Sequence, residues 1–97
     1  MSLLPREPRF QARALRQIDE ALGYVQGRSP QGAAKIEARL THLIQRLREH
    51  PQLGVRTSVA GVRRLYLVPY PYLIDDVVTD AAIIVQPFRH TARRPVP

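Results

Sequence analysis

Residues Tyr70–Val78 read YPYLIDDVV, and Ile83–Arg94 read IIVQPFRHTARR. Two short apolar runs, rich in Ile, Val, Leu and Tyr, stand on either side of Thr79-Asp80-Ala81. Such runs, bounded by turn residues, read as strands. A link this short cannot carry a parallel crossover, so the two runs pair antiparallel. The second run closes in Arg89, His90, Arg93 and Arg94, which sets a cationic cluster at the end of a sheet.

Upstream, Val62–Val68 (VRRLYLV) is a further strand-like run, separated from the next by Pro69 and Pro71. The three runs, with the last over Ala82–Phe88, predict an antiparallel meander. Leu65 and Leu67 share one parity, but Tyr66 and Val68 are also buriable, so the pattern leaves inward and outward faces open.

The first half has a different period. From Phe10 to about Gln26 the apolar positions are Phe10, Ala14, Ile18, Ala21, Leu22 and Val25, a spacing of three and four that predicts a helix. Gly27 stops it, and Ser29-Pro30 supplies an N-cap and a first helical position for a second. That second helix runs from about Pro30 to His50 on a stripe of Ala33, Ile36, Leu40, Leu43, Ile44 and Leu47. Pro51 ends it. The short link predicts a helical hairpin. At the N-terminus, Pro5 and Pro8 allow only a short edge strand within residues 1–9. The expectation is an α+β fold: an N-terminal antiparallel helical hairpin packed on a three- to four-stranded antiparallel sheet.

The chain has 97 residues, which predicts a single domain over 1–97, with 91–97 as a flexible basic tail. The apolar fraction of 44% argues against disorder. There is no Cys, which excludes disulfides and thiolate metal sites and fits a reducing compartment. No apolar run reaches the ~20 residues a membrane span needs. The opening MSLLPREPRF lacks a signal-peptide core. A cytoplasmic location without membrane contact follows as an expectation, and nothing in the pattern calls for a cofactor or a metal.

The formal charge is +7, and of 15 basic residues only Lys35 is Lys. Arg presents a planar fork that matches carboxylates and phosphates. An anionic partner is expected, either nucleic acid or an acidic protein segment. An Arg-rich, merely solvated surface is the plainer alternative.

The hairpin followed by HPQLG at His50–Gly54, RRLYLVPYPYLI at Arg63–Ile74 and RHTARRP at Arg89–Pro95 resembles the RelE/ParE superfamily of bacterial toxins, over about Phe10 to Pro95. The resemblance departs from the usual pattern at Asp75 and Asp76, where members often carry aromatic residues, and at the Pro-flanked N-terminal strand. It implies the toxin of a type II toxin–antitoxin module, hetero-oligomeric with a cognate antitoxin whose extended segment wraps it.

Two activities divide the superfamily. RelE-like members cleave mRNA on the ribosome, and ParE-like members inhibit DNA gyrase. Cleavage requires a base, an acid and cations for the phosphorane charge. In this chain His90, Arg89, Arg63 and Glu49 are the candidates for such a set. RelE-like nucleases tend to carry a Lys cluster and an aromatic after the last strand. Here Lys is almost absent and Thr91 follows His90. The RHTARRP ending resembles the ParE side. The expected reading is therefore a ParE-like, non-enzymatic gyrase inhibitor. Its target- and antitoxin-binding candidates are Arg56, Arg63, Arg64, Arg89, His90, Arg93 and Arg94. The alternatives are a ribosome-dependent endoribonuclease and a plain nucleic-acid-binding domain. Blander roles compete for the same side chains: a strand-end hydrogen bond for His90, an ion pair with Asp75 or Asp76 for the arginines, and core packing for Tyr70 and Tyr72.

Overall fold

The computed structural model describes residues 6–92. It contains β1 (Glu7–Phe10), α1 (Ala12–Gln26), α2 (Pro30–Glu49), β2 (Val55–Arg56), β3 (Val62–Tyr66), β4 (Tyr72–Val78) and β5 (Ala82–His90). The strands form one sheet in the order β1-β5-β4-β3-β2. This is the expected α+β arrangement with a wider sheet. It has five strands rather than three or four, and it is mixed, because β1 lies parallel to β5. The other neighbouring pairs are antiparallel.

The helices form where their stripes and caps place them. The Ser29 Oγ accepts the Gly32 N–H at 3.0 Å, and Pro30 occupies the first turn, where its missing N–H costs nothing. Arg46 and Arg48 sit in the last turn of α2, where cations offset the carbonyl end of the dipole. The six predicted stripe residues of α2 are its buried residues. All of them except Ala33 pack with Ala14 of α1 against Leu65, Leu67, Tyr72, Ile74, Ile83, Val85 and Phe88. Each buried Leu, Ile, Val or Phe among them contributes about 1.5–3 kcal/mol.

These sheet residues share one face, since directly paired residues project to the same side. Leu65 pairs with Ile74, Ile74 with Phe88, and Val78 with Ile83. Both helices therefore cover one face, and among the described residues no helix lies over the opposite face. Strand β5 runs through Pro87 by means of a register shift. The step from Ile74 to Asp76 on β4 matches the step from Phe88 to Val85 on β5, so Gln86 and Pro87 together oppose Asp75. Pro87 cannot donate to the ladder there, and the freed Phe88 N–H donates to Gln17 Oε1 of α1 at 2.9 Å.

Two glycines are fixed by geometry. Gly61 turns the chain between β2 and β3 with φ +80°. Gly54 lies so close to β3 that a Cβ there would meet the Arg64 carbonyl oxygen at 2.9 Å.

Candidate functional site on the two faces of the sheet

Successive strand residues point to opposite faces, so the paired arginines and paired aspartates of β3 and β4 are split. Arg64 and Asp75 are opposite each other on the open face. The Arg64 fork donates twice, Nε to Asp75 Oδ1 at 2.7 Å and Nη2 to Oδ2 at 3.1 Å. This bidentate pair holds the guanidinium even more firmly protonated than usual. Arg89 lies on the same face, opposite Leu73. Around them the open face is apolar: Val55, Val62, Val77, Ile84 and Tyr66, the last 48% exposed.

On the helix-bearing face, Arg63 pairs with Asp76 across β3–β4 and with Arg56 across β2–β3. Arg63 is half-buried and donates through Nη1 to the Gly54 carbonyl at 3.0 Å. Arg56 is exposed. Asp76 is fully enclosed, 0% exposed, and neither carboxylate oxygen has a hydrogen-bond partner among the described residues. Burial pushes its pKa up from 3.8 to about 6, against the attraction of Arg63.

His90 ends β5 on the helix-bearing face, opposite Tyr72. Its ring meets the Tyr72 ring edge-on at 5.4 Å between centroids, and Tyr72 stacks on Phe88 at 5.1 Å. The His90 Nδ1 accepts the Ala92 N–H at 3.0 Å. Tyr72 is a core residue and Tyr70 packs at its edge. Glu49 is the exposed last residue of α2. Arg93 and Arg94 lie outside the described residues.

The candidates for RNA cleavage are thus divided. His90 and Arg89 are neighbours in sequence but face opposite sides. Arg63 sits opposite Asp76, four residues along β4 from the partner of His90 and two strands away. That amounts to about 13 Å along the strand and about 10 Å across the sheet. What the structure does gather is an open face of arginines among apolar side chains, and a pair of arginines beside a buried acid. Inspection of sequence alone misses the isolation of Asp76 and the placing of Tyr66 beside Arg64. Strict alternation counted from Leu65 contains both, but only once Leu65 is known to face inward.

Among the described residues no group of three or more His, Cys, Asp or Glu is placed to hold a metal ion, and no helix is long and apolar enough to cross a membrane.

No known family model matches the chain. A curated protein of Sinorhizobium fredii, "Putative toxin Y4kP", is 35% identical over 66 residues, covering 68% of this chain and 69% of that protein. Two solved structures share the fold. The chromosomal ParDE TA system from P. aeruginosa aligns with a TM-score of 0.73 at 18% identity, over 88% of this chain and 95% of that one. The E. coli DinJ-YafQ toxin-antitoxin complex aligns with a TM-score of 0.62 at 14% identity, over 92% and 96%. With this fold and a curated relative at 35% identity over about two-thirds of each chain, the protein belongs to the RelE/ParE superfamily, the toxins of type II toxin–antitoxin systems.

Proposed function

We propose that the protein acts by binding, as a ParE-like inhibitor of DNA gyrase, and that a cognate antitoxin neutralises it. The observation that carries the non-enzymatic part is the state of His90. Its Nδ1 accepts the Ala92 N–H, so in the neutral ring the proton sits on Nε2. A neutral imidazole held this way donates through Nε2 and has no free lone pair with which to act as a base. The cations that would support cleavage lie on other strands or on the other face.

The open face supports the binding part. Arg64 and Arg89 stand among Val62, Tyr66, Val77 and Ile84, with no helix over them among the described residues. A surface of this kind suits an acidic, amphipathic protein segment: its cationic rim draws carboxylates over the Arg64–Asp75 pair and the strand residues meet apolar side chains. The structural neighbours ParDE and DinJ-YafQ are toxin–antitoxin assemblies, which supports an antitoxin as one such partner.

Expression without the antitoxin tests the reading. Growth arrest should come with DNA breaks and induction of the SOS response. Arrest with intact DNA and cleaved mRNA would overturn it.

A further inference from the structure

Among the described residues, the Asp76 oxygens are the buried side-chain polar atoms left without a hydrogen-bond partner. A cation stands directly across the ladder. Arg63 is the β3 partner of Asp76, and opposed Cβ atoms lie about 5 Å apart. Yet the Arg63 Nη1 donates elsewhere, to the Gly54 carbonyl. Gly54 is pressed against the same strand, where a Cβ would meet the Arg63 Cβ at 3.1 Å. One guanidinium thus has two acceptors in reach of its strand position: a neutral carbonyl on the link between α2 and β2, and an enclosed carboxylate.

Other surroundings of Asp76 offer little competition. Along β4, Asp75 points to the opposite face and is held by Arg64. On β5 the paired residue is Val85. From the helices, Ala14, Ile36, Leu40, Leu43, Ile44 and Leu47 fill this side of the sheet. The Gln17 Oε1 is taken by the Phe88 N–H.

We propose that Arg63 is a two-position switch. It rests on the Gly54 carbonyl while Asp76 is protonated, moves to the Asp76 carboxylate when Asp76 ionises, and so releases the link that joins α2 to β2. A charge-assisted hydrogen bond is roughly twice as strong as a neutral one, and an unpaired carboxylate is the least tolerable group to bury. Ionisation therefore tips the choice. The raised pKa of Asp76, about 6 because of burial, places the change at or a little below pH 6, since Arg63 on the carboxylate lowers it. Asp75 adds to the rise and Arg63 opposes it. Arg56, paired with Arg63 on β2, moves with the link, so the cationic edge of the sheet takes two arrangements.

Side-chain NMR of the arginines in the antitoxin-free protein, from pH 5 to 8, tests this without reference to any target. The Arg63 guanidinium resonances should shift with the same midpoint as the Asp76 carboxyl carbon. The protection factor of the Leu53 N–H, which donates to the His50 carbonyl inside the link, should fall at least tenfold above that midpoint. In Asp76→Asn, Arg63 should stay in its low-pH position throughout. Arg63 resonances that ignore the Asp76 titration, or that still move in Asp76→Asn, would overturn the proposal. Should that variant not fold, the wild-type titration decides alone.

Discussion

Asp76→Asn should stabilise the protein at neutral pH, and the size follows from burial. Folding raises the Asp76 pKa from 3.8 to about 6. The native state therefore holds this proton more tightly than the unfolded chain does. The stability the protonated carboxyl allows is fully present below pH 3.8 and is lost as the pH rises through about 6. A rise of roughly two units, at 1.36 kcal/mol per unit, amounts to about 3 kcal/mol. That value is a ceiling. It applies with Arg63 held at Gly54, and a shift of Arg63 onto the carboxylate would reduce it. Asn has nearly the same volume and carries no charge, although its amide is left as poorly partnered as the protonated acid. Urea unfolding at pH 4.5, 6 and 7.5 reads the difference directly. The variant's advantage should be at most about 1 kcal/mol at pH 4.5, where the unfolded carboxyl is already mostly ionised, and should grow to about 1–3 kcal/mol at pH 7.5. A variant no more stable at pH 7.5, or a difference that does not change with pH, would refute the reasoning.

Arg64→Ala strands a largely buried Asp75 carboxylate and should cost about 3 kcal/mol, most of it recovered by adding Asp75→Asn, as measured in a double-mutant cycle. Gly54→Ala drives a Cβ to 2.9 Å from the Arg64 carbonyl oxygen, and the forced shift of backbone should lower Tm by roughly 5–15 °C. His90→Ala should leave toxicity intact while loosening the packing on Tyr72. Loss of toxicity with fold and antitoxin affinity unchanged would instead give the ring a part in catalysis or target binding.

Much of this architecture is legible in the amino-acid order, for identifiable reasons. The α2 stripe and the Ser29-Pro30 start are local signals, and both appear where the spacing places them. Strands β3 to β5 are legible as runs, and an Arg–Asp pair across the β3–β4 hairpin is legible from their order. β2 is not, because two residues carry no period. The parallel pairing of β1 is a long-range contact, made with a strand more than seventy residues away. The run over Ala82–Phe88 is legible through Pro87, but the register shift opposite Asp75 that accommodates this proline is not. The faces were ambiguous for a specific reason. Arg63 and Asp76 share the parity of Leu65 and Ile74, so charged residues occupy inward positions and break the alternation. The same break conceals the isolation of Asp76 until the sheet is assembled.

The separation of faces links this geometry to function. Arg64 and Arg89 lie on the face without a described helix, Arg63 and Arg56 on a cationic edge beside a buried acid, and His90 in an aromatic cluster. On the proposed reading, recognition rather than chemistry is the basis of toxicity. The most direct measurement is a supercoiling and cleavage-complex assay with purified gyrase and antitoxin-free protein. The account predicts inhibition or trapped cleavage that the cognate antitoxin reverses and that His90→Ala preserves. An unaffected gyrase at large excess of the protein, together with cleavage of ribosome-bound mRNA, would contradict it.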